Sequence, residues 1–399
     1  MDYRQRFLRP LRKTSDCLPL ACAMAYTVMI AGMLVLLMCF DTPLRVLTGQ
    51  QLAEFASSLP APASVMVTYL APWSTWMGFF LFVCIAKRDH PMLRAIIPNG
   101  QGNTLRGALI GAALGFGLNG FCIAVSALTG VIDLSLDRFN PFWLLAILFA
   151  VFIQSSSEEL ISRVFLYQKL RRRYKNPAVA IAGSALFFMA LHTGNPDASV
   201  WGMVLIVVFG VFFALMVYYF NSVWACMTMH TLWNFTQNIL FGLPNSGIVS
   251  RYSLFKLEAA TNGLFFDPGF GVEGSPGAVL LMVAACVVLC LLGRKRNQPR
   301  EDLWAAEEQA FAAARDCAQE HQHTIEDSSN ARQTKREEEE ESQCRATKEE
   351  AVEESQCRAA KEEALEESQC RAAKEEALDT DKPSSQPAAE QSASCTSVH

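Results

Sequence analysis

Residues 141–168 read PFWLLAILFAVFIQSSSEELISRVFLYQ. The run is long enough to cross a hydrocarbon core of about 30 Å, which takes about 20 mostly apolar residues in a helix. Inside it lie two adjacent carboxylates, Glu158 and Glu159, and a guanidinium, Arg163. An ionisable side chain at that depth is costly and needs a partner or a purpose. The stretch therefore implies a membrane-embedded helix and marks where its chemistry would sit.

Seven further runs of the same kind surround it, at 18–40, 63–86, 105–129, 177–193, 198–220, 223–243 and 276–293. Backbone in lipid must satisfy its own hydrogen bonds, so such runs are helices. The sequence predicts an all-α polytopic membrane protein with about eight transmembrane helices and a charged, repetitive C-terminal tail. The first run exceeds the apolar region of a cleaved signal peptide, and no small-residue cleavage site follows Phe40, so it reads as a first span. Of the 399 residues 51% are hydrophobic and 18% charged. The two classes separate sharply, apolar runs filling the chain up to Arg294 and polar sequence following it.

Basic residues gather in four places: Arg4, Arg6, Arg9, Arg12 and Lys13; Lys87, Arg88, Arg94 and Arg106; Lys169, Arg171, Arg172, Arg173 and Lys175; and Arg294, Lys295 and Arg296. With eight spans all four fall on one side. The positive-inside rule makes that side the cytoplasm, with both termini in it and the chain in the cell membrane. Such short clusters anchor helices at a bilayer surface and form no phosphate-tracking stripe, so no nucleic-acid partner is expected. The 13 Cys divide between apolar runs and a cytosolic tail, which argues against a disulfide framework.

The expected organisation is a cytoplasmic N-terminus (1–17), two spans and their loop (18–104), a core (105–245), an extracytoplasmic loop (246–275), a last span (276–293) and a cytoplasmic tail (294–399). The tail opens with an amphipathic pattern carrying Leu303, Trp304 and Phe311. It then repeats a 13-residue unit from Glu341, Glu354 and Glu367. Successive copies turn by about 220° on a helix, so Cys344, Cys357 and Cys370 share no face. No apolar stripe forms either, and the repeat reads as a solvated arm, a spacer or a docking segment for a cytosolic partner.

Polar groups inside the runs are few. The only acids are Glu158 and Glu159, and the only His are His192, late in the fifth run, and His230, in the seventh. Near them lie Gln154, Ser155, Ser156, Ser157 and Arg163, then Asn234, Gln237 and Asn238. Residues four apart share a helical face, which pairs Glu159 with Arg163 and His230 with Asn234, while Glu158 points about 100° away, over Gln154. A Glu–Arg clamp, a buried His or a packing Asn is each unremarkable alone. Three such features on three helices, with hardly another buried polar group, point instead to a functional cavity.

Three motifs result: E-E-x-x-x-R at Glu158-Glu159-Leu160-Ile161-Ser162-Arg163, F-x-x-x-H from Phe188 to His192, and H-x-x-x-N from His230 to Asn234. In this order they resemble the type II CAAX prenyl endopeptidases and the related CPBP (Abi) intramembrane peptidases, over roughly residues 105–245. Many members carry an aromatic before the Arg and a small residue after it, where this chain has Ser162 and Val164. The resemblance implies an intramembrane endopeptidase acting on a peptide or a lipidated protein. In it Glu158 activates water, Glu159 and Arg163 fix the site, His192 shares in water activation or binds a metal, and His230 with Asn234 polarises the carbonyl and stabilises its oxyanion. A desolvated carboxylate is a stronger base, and donors aimed at a developing oxyanion contribute a few kcal/mol, so the roles suit the chemistry. The cofactor stays open between a divalent metal such as zinc, held by Glu158, His192 and His230, and none.

CAAX-type processing and the maturation of peptides such as bacteriocins, with self-immunity, are the substrate classes the resemblance brings. Two other readings compete. One is a catalytically inactive scaffold or immunity protein. The other is a proton-coupled transporter, which buried Glu and His also suit, although the chain shows no second copy of its polar helices.

Overall fold

The computed structural model describes residues 7–39, 55–100, 102–296 and 302–328. The chain divides into two units, Met1–Ile325 and Glu326–His399. Arg4 and Arg6, the 13-residue repeats and their cysteines lie outside the described residues.

In chain order the helices and strands are α1 (Leu18–Cys39), α2 (Ala61–Leu70), α3 (Trp73–Ile85), α4 (Leu105–Leu128), β1 (Ile132–Leu136), α5 (Pro141–Glu159), α6 (Tyr167–Arg173), α7 (Pro177–Ala190), α8 (Val200–Phe220), α9 (Val223–Asn234), β2 (Phe255–Ala260), α10 (Pro276–Lys295) and α11 (Ala305–Ser328). A π-helical turn, Leu160–Leu166, joins α5 to α6, and another, Phe235–Leu240, extends α9. Local chemistry sets the starts. Asn140 caps α5 ahead of Pro141, and Ser199, Ser222 and Ser275 cap α8, α9 and α10 by accepting from backbone N–H groups three residues on.

Among the described residues six stretches are long and apolar enough to cross a membrane: Leu18–Val35, Ala61–Ile85, Leu105–Leu128, Pro141–Arg173, Val200–Phe220 and Pro276–Lys295. The chain is a mostly helical, multi-pass membrane protein, but two of the eight expected spans fall short. Helix α7 has 14 residues, about 21 Å at 1.5 Å per residue. Helix α9 stops being α-helical at Asn234, and its run carries Thr228, His230, Thr231, Asn234, Gln237 and Asn238. Helix α9 is an interior element of the bundle, where protein takes the place of lipid, whereas α7 is short and keeps an exposed stripe at Ala178, Ala182, Leu186 and Ala190. The expected all-α loop between α9 and α10 also holds a strand, which pairs antiparallel with β1.

Helices α4 and α9 pack backbone to backbone. A Cβ added to Gly111 or Gly115 would lie 2.2 Å from the carbonyl oxygen of Ala225 or Met229, so small residues here permit the contact. Met229 precedes His230, and Gly115 therefore sets where that imidazole stands. Gly115→Val is expected to cost about 1–3 kcal/mol of stability by overpacking. It should also lower any His230-dependent activity by about a hundredfold, the effect of roughly 1 Å of misplacement. Thermal unfolding in detergent and a turnover assay check the two parts.

The described basic clusters meet at one end of the bundle and are largely paired. Arg172 reaches Asp16 and Asp89 at 2.6 Å each, and Lys169 lies 3.5 Å from Asp16 and 3.6 Å from Asp89. Burial opposes ionisation of Asp89, but these cations together hold its carboxyl below the usual range. Arg9 binds Asp302 and Glu308, while Trp304 is buried against the Arg172 guanidinium and donates to the Gln168 carbonyl at 3.0 Å. The expected amphipathic segment is thus real but rotated: Leu303 and Trp304 are buried and Phe311 is exposed.

Candidate active site

Both π turns begin at the residues singled out by motif, one directly after Glu159 and the other directly after Asn234. Such turns recur at functional sites because they re-aim side chains that an α-helix would stack in register. A cavity of about 390 Å³ opens beside them. Glu158, His192, His230 and Asn234 line it together with Gln154, Tyr69, Phe188, Asn195, Trp233, Asn245, Ser246 and Glu273. Glu159 and Arg163 stand behind the wall, fully buried.

Glu158 is partly exposed to the cavity, and its two oxygens have different surroundings. Oε1 accepts from the Gln154 side-chain amide. Oε2 lies 3.8 Å from His192 Nε2 and 3.8 Å from His230 Nε2 and has no hydrogen-bond partner among the described residues. Each imidazole is turned by its other nitrogen. His192 Nδ1 is 2.8 Å from the Phe188 carbonyl, left free at the end of α7, and His230 Nδ1 is 3.0 Å from Glu159 Oε1. Both partners only accept, so Nδ1 carries the proton in each ring, and in a neutral ring the Nε2 lone pair faces Glu158. Three acceptors then converge on one point.

Glu159 is held from the other side by Arg163. Nε lies 3.2 Å from Oε2, and Nη1 donates to Oε1 at 3.4 Å. The guanidinium also donates to the Gly210 carbonyl at 3.2 Å and lies over the rings of Phe188 and Phe213 at 4.5 and 5.2 Å. Arg163 thus ties α5, α7 and α8 together through one planar group. Asn234 Nδ2 donates to Gln154 Oε1 at 3.2 Å and lies 3.4 Å from Ser155 Oγ. Its amide therefore reaches Glu158 through Gln154.

The sequence reading places Glu158 over Gln154 without giving Gln154 a role, and it does not name Glu273 or Asn119. Gln154 fixes the rotation of the Glu158 carboxylate, although nothing in its spacing separates it from packing glue. Glu273 comes from the loop before α10. Its Oε1 accepts from Trp233 Nε1 at 3.1 Å, and its Oε2 from Ser246 N at 2.7 Å and Ser246 Oγ at 2.6 Å. Burial raises the Glu273 carboxyl against the lowering pull of those Ser246 bonds. Outside any apolar run, it carried no signal of depth. Asn119 of α4 was a further omission: it is fully buried and donates to Gln237 at 2.7 Å.

The donors of the metal alternative are right in kind but not in spacing. Bonds of about 2.1 Å at a tetrahedral angle would place His nitrogen and Glu oxygen about 3.4 Å apart, against 3.8 Å here. Among the described residues no group of three His, Cys, Asp or Glu could hold a metal ion.

A bundle of membrane-crossing helices around a cavity lined by Glu158, His192 and His230 defines the class, a multi-pass membrane protein with a polar chamber among its helices. Residues 140–236, about a quarter of the chain, match the family model described as type II CAAX prenyl endopeptidase Rce1-like. That segment carries all three motifs, and the match supports a relation of this part of the chain to the CPBP (Abi) family. Comparison with curated proteins and with solved structures finds no match.

Proposed function

We propose that the chain is an intramembrane endopeptidase that hydrolyses a peptide bond with water activated by Glu158. The observation that carries this is the unpartnered Glu158 Oε2, held by Gln154 between two imidazole Nε2 atoms in an accessible cavity. At 3.8 Å the pairs are beyond direct hydrogen bonding, and one water can donate to the carboxylate and to an imidazole at once. Glu158 takes a proton as the water oxygen bonds to the scissile carbonyl carbon. The carbonyl oxygen becomes the oxyanion, and the proton passes from Glu158 to the departing amine as the C–N bond breaks.

His230 can serve the oxyanion. An imidazole that enters the cycle already protonated from solvent at Nε2, with Glu159 accepting from Nδ1, donates that N–H to the oxyanion and keeps the proton through the step. Asn234 would join it by exchanging its Gln154 bond for the oxyanion. The paired basic clusters at one end of the bundle favour the cytoplasm for that end.

The test sets the purified protein and Glu158→Gln against a farnesylated CAAX peptide and a panel of unprenylated peptides, with and without chelator. Cleavage by the parent alone supports the reading and identifies the substrate class. Equal cleavage by both removes Glu158 as the base. With the donors at the spacing seen here, chelation is expected to leave the parent's rate within about twofold; loss of most activity would instead make the Glu–His–His set a metal site. Gln154→Leu, which frees Oε1, is expected to lower kcat about tenfold to a hundredfold with KM little changed, because positioning acts on the transition state.

A further inference from the structure

Asn245, Ser246 and Ile248, of the turn Pro244–Ile248, line the same cavity as Glu158, and this turn is pinned at most of its polar atoms. The Pro244 carbonyl accepts from Gln237 Nε2 at 2.6 Å. Asn245 N donates to the Ile248 carbonyl and Ile248 N to the Asn245 carbonyl, both at 2.9 Å. Ser246 gives its N–H and its hydroxyl to Glu273, and its carbonyl accepts from Asn195 Nδ2 at 3.1 Å. Gly247 takes a φ of +82°, and a Cβ there would lie 1.9 Å from the Pro196 carbonyl oxygen, so the turn is locked against the loop after α7 as well.

One polar atom of the turn departs from this pattern. Asn245 is 8% exposed and lines the cavity, yet its side-chain Oδ1 has no hydrogen-bond partner among the described residues. A buried carbonyl without a partner is costly, and such an atom in a rigid turn calls for an explanation. Glu158 Oε2 is the other side-chain atom without a hydrogen-bond partner among the described residues that line this cavity. Both residues line one chamber: Glu158 belongs to the proposed chemistry, and Asn245 carries no role in it.

We propose that Asn245 is a substrate-binding residue, whose carboxamide pairs with a main-chain peptide group of an extended peptide lying across Glu158. A carboxamide offers one acceptor and two donors, the complement of a peptide N–H and C=O, and it reads backbone without regard to side chain. The recognised class is thus an extended polypeptide segment with a free N–H near the scissile bond. The turn's other bonds preorganise the amide before substrate arrives, which lowers the cost of binding. This inference rests on the peptidase reading.

Two measurements test it. KM and kcat are compared for the parent and for Asn245→Ala and Asn245→Ser, which leave the turn's main-chain bonds intact, with thermal midpoints recorded alongside. Binding of the same cleaved peptide is then measured in the Glu158→Gln background, using a set of analogues in which each amide N–H in turn is replaced by an ester oxygen. The expected result is a KM raised about tenfold or more at little change in kcat, the value of a hydrogen bond to a buried acceptor. One ester position should weaken parent binding to a similar extent and add nothing in the Asn245→Ala protein. Unchanged KM in both variants, or ester losses that multiply with Asn245→Ala at every position, would overturn the assignment. A parent that cleaves its peptide while Asn245→Ala shows the parental KM sinks this proposal alone; a parent that cleaves no peptide sinks the peptidase reading with it.

Discussion

Glu158→Gln is expected to abolish peptide cleavage, by about a thousandfold or more, while the protein keeps its fold and its expression. The amide is nearly isosteric with the carboxylate and can still bond to Gln154, so the side chain stays in place. What is lost is the proton acceptor at Oε2, the atom that faces both imidazoles at 3.8 Å. General-base catalysis by a positioned side chain contributes about 10²–10⁴-fold, and little else in the cavity could replace it. The neighbouring acid cannot take over, because both Glu159 oxygens are engaged by Arg163 and His230. Comparing kcat of the two proteins at equal thermal midpoint reads the effect. Retention of more than about a tenth of the rate would contradict the assignment of Glu158 as base.

Arg163→Met is expected to have the largest effect on stability, about 3–5 kcal/mol. Arg163 and Glu159 are both fully buried, and removing the guanidinium leaves Glu159 with only the His230 imidazole as partner. A stranded buried carboxylate must either bear the desolvation cost or take up a proton, and either outcome loosens its hold on His230. The signature is non-additivity. Glu159→Gln with Arg163→Met removes both charges, and the double variant should recover at least about 2 kcal/mol relative to the sum of the single changes. Unfolding of the four proteins in detergent forms the cycle, and strictly additive losses would show that the pair is not coupled as its 3.2 Å separation implies.

What was legible in the sequence is local in kind. The Glu159–Arg163 pairing follows from a four-residue spacing on one strand of helix, and the structure shows it even though a π turn begins between the two residues. The long apolar runs gave six membrane-crossing helices, since length and composition decide those alone. The shortfall at α9 was illegible for the same reason: a run of apolar residues reads alike whether lipid or protein surrounds it. Pairings across the chain left no periodic trace. Asp16 and Asp89 meeting Arg172, Asn119 meeting Gln237, and Glu273 meeting Ser246 and Trp233 join residues 27 to 156 positions apart. The turn at Pro244–Ile248, with Ser246 at φ +48°, has no helical or strand period to announce that it walls a cavity.

The central claim is that water, activated at Glu158, adds across a peptide bond within the membrane protein. The most direct measurement is turnover of a cleaved peptide by the purified protein in water enriched in oxygen-18, with both products analysed by mass spectrometry. The account predicts one labelled oxygen in the new carboxylate of the N-terminal fragment, an unlabelled free amine on the other, and neither product from Glu158→Gln. Equal amounts of labelled product from the parent and from Glu158→Gln, or no product from the parent on any peptide, would contradict it.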